Sequence, residues 1–395
     1  MVQRFRLVYH RLLLRFFWVS GLSPDRSLRD SPNPSGFATY RSRQYLDHIK
    51  GKPTMRFLAA LFALLGTVQT ATASPQKSLS GNLFDIQPKN QVEVFVASDV
   101  PDSVKRGVTE TLALAVETWG SSGKLEYWVL GTDRDAALEL NKAFCERRIA
   151  RGDMTRHDCM RDRLNQDHGF LAYQQIGEKA IATGSPSMSA GHNGGSEWGF
   201  HRYASSLPFG FASKLEVAGE GDQLTIFHEY WHSIQQASIK ATDHETRQKQ
   251  MGPVWFAEGS AVAMAELTSE KLWSSGQLPR WNNTGRPWPD LRRRMISKMD
   301  YVQANRGECE CVLPDTYEGE CGQLAYESGG WAMTYLMHKH GWNVLLDSFH
   351  PRVAELGWEG AFQATFGQSS AKFIAEFETF LDLPREEQLK ILPAF

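Results

Sequence analysis

Leu224-Thr225-Ile226-Phe227-His228-Glu229-Tyr230-Trp231-His232-Ser233-Ile234 is the stretch on which the reading of this chain turns. Leu224, Phe227, Trp231 and Ile234 recur at i, i+3, i+7 and i+10, an apolar stripe at helical period. Asp222 just upstream suits a helix N-terminus, where the aligned peptide dipoles favour negative charge. On such a helix His228 and His232 lie one turn apart on a face offset from the stripe. One face packs into a core while the adjacent face presents two imidazoles able to reach a single metal ion.

Glu229 then sits beside that ion, where it can hold a water molecule and take its proton. About two dozen residues on, Trp255-Phe256-Ala257-Glu258-Gly259 offers Glu258 as a third ligand. Two imidazoles and one carboxylate suit zinc, and three protein ligands leave a coordination position open, which a hydrolytic centre requires.

The bulk numbers bound the rest. A chain of 395 residues, 42% hydrophobic and 22% charged, has ordinary globular composition with ample material for a core. Charge is uneven along it. Residues 1–54 carry ten Lys/Arg against three Asp/Glu, whereas from Ser74 onward 32 basic residues face 42 acidic ones. So acidic a body argues against nucleic acid or an anionic membrane surface as partner.

Met55-Arg56, the apolar run Phe57–Val68 and the small-x-small site Ala71-Thr72-Ala73 read as a secretory signal, with a run too short to span a bilayer. The expected organisation is a leader extension of non-native or transit-peptide character over 1–54, a signal peptide over 55–73 and a linker over 74–90. An N-terminal α/β part follows over 91–220, then metal-binding helices and a helical C-terminal part over 221–395. Secretion or export to a periplasm permits disulfides. The spacing of Cys145, Cys159, Cys309, Cys311 and Cys321 suggests a Cys145–Cys159 loop, one bridge among the last three, and one free thiol.

Within the N-terminal part, Val92–Val96 reads as a strand, Pro101–Trp119 as a helix and Leu125–Leu130 as a strand. A charged helical region follows from Asp133 to Arg163. The Gly/Ser/Asn-rich segment 184–197 reads as loop, and Gly199–Leu207 and Ser213–Val217 as strands. Beyond the quoted stretch, 239–252 reads as polar loop, Pro253–Leu267 as a helix and Trp273–Leu291 as irregular. Helices are expected again over Glu327–His340, Trp358–Phe366 and Ser370–Leu381.

His228-Glu229-Tyr230-Trp231-His232, Trp255-Phe256-Ala257-Glu258-Gly259, Tyr326-Glu327-Ser328-Gly329-Gly330 and the tail around Phe366-Gly367 together resemble the gluzincins, zinc peptidases whose third ligand is a glutamate on a later helix. The resemblance covers roughly Gln223 to Leu381. It implies an α+β, thermolysin-like zincin fold, with zinc held by His228, His232 and Glu258, and Glu229 as general base. Tyr326, matching the tyrosine of the family's Tyr-x-x-Gly segment, would donate to the oxyanion. It also implies an edge strand ahead of the metal helix, supplied by Gly199–Leu207 or Ser213–Val217, that pairs with a peptide substrate.

The departures are specific. Gln235 and Ser238 stand where a metzincin carries glycine and a third histidine. The Gly-x-Met-Glu-Asn element that holds a free N-terminus in aminopeptidases is missing. Val262 occupies the place of the acid that orients a ligating histidine, which leaves Glu266, one turn on, or another carboxylate for that task. His201 and His338 are further candidates for the oxyanion. The expected function is a secreted zinc metallopeptidase acting on peptide or protein, with no stable membrane insertion. The alternatives are a zinc-binding or inactive module that recognises a surface polymer through Trp273, Trp281 and Trp288, or a hydrolase of a non-peptide amide or ester.

Overall fold

The computed structural model describes residues 92–165, 169–184, 187–195, 199–212, 220–279 and 291–395. The segments expected as leader, signal peptide and linker, Ser213–Val217, and Trp281 and Trp288 lie outside these residues.

Among the described residues there are four short strands: β1 (Val92–Val96), β2 (Leu125–Val129), β3 (Ala190–Gly195) and β4 (Phe200–Ser205). They form one mixed sheet in the order β1-β2-β4-β3, with β1, β2 and β4 parallel and β3 antiparallel at the edge. Helix α1 (Asp102–Trp119) crosses from β1 to β2, and α2 (Arg134–Ala150), α3 (Arg156–Asn165) and α4 (Phe170–Thr183) cross from β2 to β3. After β4 the described chain is helical: α5 (Glu220–Ala237), α6 (His244–Met251), α7 (Val254–Ser274), α8 (Leu291–Asn305), α9 (Gly319–His340), α10 (His350–Phe366) and α11 (Ser370–Leu381). The fold is mixed α/β, mostly helical, around a small sheet. Among the described residues no helix is long and apolar enough to cross a membrane.

Several elements follow from local chemistry. Asp133 and Asp243 cap α2 and α6 by accepting from the N–H of Ala136 and Thr246. Pro253 precedes α7, whose Val254 N–H is capped from a distance by Asp315 Oδ1 at 2.9 Å. Gly367, at φ 72°, ends α10 in a left-handed cap. Phe373, Phe377 and Phe380 form the buried stripe of α11.

Three readings of the sequence are corrected here. The 184–197 segment is not all loop, for Ala190–Gly195 is a strand. Its Gly and Asn content carries no strand signal, and pairing with β4 creates the strand. The 239–252 segment is not all loop either. Helix α6 buries only Arg247, so no apolar stripe betrayed it. Trp273, expected in irregular chain, lies in the last turn of α7. Helices α4 and α8 were not anticipated.

Both disulfides involve the expected cysteines. Cys145–Cys159 ties α2 to α3, and Cys309–Cys321 ties the loop before α9 to its first turn, leaving Cys311 as the free thiol. Paired cysteines of this kind persist in oxidising compartments.

Helices α7 and α9 meet backbone to backbone. A Cβ on Gly259 would fall 2.3 Å from the Gly329 carbonyl carbon, and one on Gly329 would fall 2.3 Å from the Trp255 oxygen. Only glycine allows this approach. It carries Tyr326, one turn before Gly329, toward Glu258, the residue before Gly259.

Candidate metal centre

Ile226, Phe227, Tyr230, Trp231 and Ile234 bury the apolar side of α5 completely or nearly so. Trp119 of α1 packs against Phe227 and Trp231 edge to face, at 5.8 and 5.3 Å between ring centroids. That contact fixes the roll of α5 and turns His228, Glu229 and His232 toward α7. Glu258, in the second turn of α7, meets them there.

Three atoms converge. His228 Nε2 and His232 Nε2 are 3.2 Å apart, and Glu258 Oε2 lies 3.2 Å from the first and 3.3 Å from the second. Four-coordinate zinc with bonds of about 2.0–2.1 Å has ligand–ligand edges of about 3.3–3.4 Å. The triangle is therefore the size that one tetrahedrally bound ion spans, and these three residues form a group that can hold a metal.

The tautomers agree with this. His232 Nδ1 is 2.6 Å from Gln235 Oε1, while Gln235 Nε2 is 2.8 Å from the Ala257 carbonyl. The amide must donate to that carbonyl, so Oε1 accepts from an Nδ1–H. Neutral His232 then aims its Nε2 lone pair at a buried carboxylate, a face-off that only a cation, proton or metal, relieves.

Charge is tuned accordingly. Burial pushes the Glu258 carboxyl up, but His232 and His228 outweigh it and hold the group well below the usual range. Burial lowers His232, yet the Glu258 charge overrides it and raises the imidazole to about 9. Burial raises the Glu229 carboxyl against the opposing charges of His232 and His228, and the His192 backbone N–H bonds to its charged form.

His192 lies on β3, and the hydrogen-bond parity explains that contact. Leu130 N–H donates to Ser205 O and His201 N–H to Lys124 O, so odd-numbered residues of β4 face β2. Even-numbered ones face β3, and residues 190, 192 and 194 turn their backbone groups to the free edge. The edge strand beside the site is thus β3. Gly199–Leu207, one of the two segments expected in that role, forms the interior strand β4 instead. At the far end of the edge Arg247 donates to Gly194 O at 3.2 Å.

Tyr326 lies against the cluster, its ring stacked on His228 at 6.3 Å and 14°. Tyr317, unremarked in the sequence, donates to Glu258 Oε1 at 3.0 Å. Burial first and the Glu258 charge second raise both phenols, so each keeps its proton at neutral pH and serves as a donor.

Three expected side chains do not join the centre. His201 is buried with both ring nitrogens engaged, by His192 Nε2 at 2.9 Å and Ser122 O at 3.0 Å. His338 is exposed in the last turn of α9 beside Trp342, about 18 Å along the helix from Tyr326 at 1.5 Å per residue. Glu266 is bound to Lys298 at 3.2 Å and faces Arg294, so it orients no histidine. The side chain that meets His232 is Gln235. Compared with known proteins, the chain matches no family model, no curated protein sequence and no solved structure.

Proposed function

We propose that this protein is a secreted zinc-dependent peptidase of the gluzincin type, with a thermolysin-like arrangement of metal helix and edge strand. The observation that carries the reading is the triangle of His228 Nε2, His232 Nε2 and Glu258 Oε2, with edges of 3.2 to 3.3 Å, beside the buried carboxylate of Glu229. Zinc held there would supply Lewis acidity toward a carbonyl and toward water.

The protein's own groups do the rest. Glu229, its carboxyl raised by burial, takes a proton from the attacking water and delivers it to the leaving amine. The Tyr326 phenol, stacked beside His228 and bonded to Glu258, is the neutral donor that turns to the oxyanion of the tetrahedral intermediate. Outward backbone groups of Ala190 and the His192 carbonyl on β3 offer an extended peptide main-chain partners, as sheet edges do, while the His192 N–H is held by Glu229. Two disulfides and the sequence over 55–73 support export.

The deciding experiment measures zinc content and casein hydrolysis of the purified protein, with and without a chelator. About one zinc per chain, chelator-sensitive hydrolysis, and loss of zinc in Glu258→Ala are expected. A protein that carries no zinc, or that digests casein equally well after chelation, overturns the reading.

A further inference from the structure

We infer that Gln235 is the positioning residue of the metal centre: a single neutral amide that sets the tautomer of His232 and fastens it to the helix bearing Glu258. This rests on the metal-centre reading above and extends it to a residue in no ligand position.

The geometry uses almost all that the side chain has. Gln235 is buried. Its Oε1 accepts from His232 Nδ1–H at 2.6 Å, and its Nε2 donates to the Ala257 carbonyl and to Ser260 Oγ, each at 2.8 Å. Ala257 is the residue before Glu258. Ser260 also takes the Trp231 Nε1–H at 3.2 Å, so α5 and α7 are joined twice at this level. One amide thus connects a ligand on α5 with the backbone that aims the ligand on α7.

Its chemical type matters. The usual orienting partner of a ligating histidine is a carboxylate, carbonyl or water. A carboxylate at 235 would accept from His232, but its second oxygen would face the Ala257 carbonyl, acceptor against acceptor in a buried place. Only an amide satisfies a donor on one side and an acceptor on the other. Being neutral, it raises the basicity of His232 less than a carboxylate would. Val262 instead packs against Gly330.

The test compares the full chain with Gln235→Leu and Gln235→Glu. Zinc affinity is measured by competition with a chromophoric chelator, and the His232 ring proton by nitrogen–proton NMR. Removing an outer partner of a ligand typically weakens metal binding about 10- to 100-fold, and that loss is expected for Gln235→Leu, together with loss of the protected Nδ1 proton. Gln235→Glu keeps the acceptor and loses the donor, so it should restore the Nδ1 proton signal but only part of the affinity. Wild-type affinity in Gln235→Leu overturns the proposal. Wild-type or better affinity in Gln235→Glu overturns the tie to α7, and that variant decides alone should Gln235→Leu fail to fold. A wild-type chain that binds no zinc removes the proposed function itself, an outcome distinct from both.

Discussion

The Tyr317 hydroxyl donates a 3.0 Å hydrogen bond to Oε1 of Glu258, while Oε2 of the same carboxylate faces both imidazoles. The two oxygens of Glu258 have different tasks. One points to the ligand triangle and the other is held by a phenol from a loop that Cys309–Cys321 staples to α9. Tyr317→Phe frees Oε1, and zinc affinity should drop by about tenfold, the low end for a lost outer partner. Unchanged zinc affinity in that variant would show the bond to be incidental.

Tyr326→Phe should behave differently, because its hydroxyl, although it also bonds Glu258, is assigned its main task in the transition state. The expected result is a fall in kcat of about 10²- to 10³-fold, with KM and zinc content near wild type. Steady-state kinetics on a peptide substrate checks this. A change confined to KM would place the phenol in ground-state binding.

Glu229→Gln keeps the shape of the side chain and removes the base. Zinc content should stay at the wild-type level while turnover falls by about 10²- to 10⁴-fold. Casein digestion at the wild-type rate would exclude the role given to Glu229.

Gly329→Ala tests the backbone contact of α7 with α9. The added methyl carbon would lie 2.3 Å from the Trp255 oxygen, so the helices must part. A destabilisation of about 1–3 kcal/mol by urea unfolding is expected, as for other overpacked interiors, along with reduced activity as Tyr326 is displaced. Gly307→Ala is the control, for nothing lies within 4 Å of the added carbon there. Equal stability of the two variants would deny the contact its importance.

Burial makes the metal-free protein acid-sensitive. It depresses His350 to about 3 and, despite the opposing Ser122 bond, His201 to about 4. Both stay neutral in the folded chain at pH values where the unfolded chain, near the ordinary 6.5, binds protons. Stability is therefore retained above that value and falls as pH drops from about 6.5 toward 4, by about 1.4 kcal/mol per pH unit for each histidine. Urea midpoints with chelator present should decline between pH 7 and pH 5, and His350→Phe should reduce the slope. A slope unchanged in His350→Phe would mean that this ring is solvated or charged when folded.

Much of the centre was legible in the amino-acid order because its signals are local. A four-residue separation on an amphipathic helix puts two imidazoles on one face whatever surrounds it, and the same helix supplies Glu229. Even the glycines of Glu258-Gly259 and Tyr326-x-x-Gly329 were visible as a motif, although their reason, two helices touching at the backbone, was not. The Cys145–Cys159 pair was also local enough to read, whereas the choice of Cys309–Cys321 among the last three cysteines was not.

What the order of residues could not decide were relations between elements. Strand β3 has no β-branched residues and exists because β4 pairs with it, so its place at the edge followed from topology and not from composition. Gln235 stands three residues after His232 on the same helix, within local reach, but that its amide also donates to Ala257 and that Glu266 pairs with Lys298 depended on how α5, α7 and α8 meet. Tyr317 reaches Glu258 from a separate loop across 59 residues, a distance over which periodicity carries no information. Spacing within one helix is set by bond geometry and survives in sequence; the meeting of helices is set by packing and appears only in three dimensions.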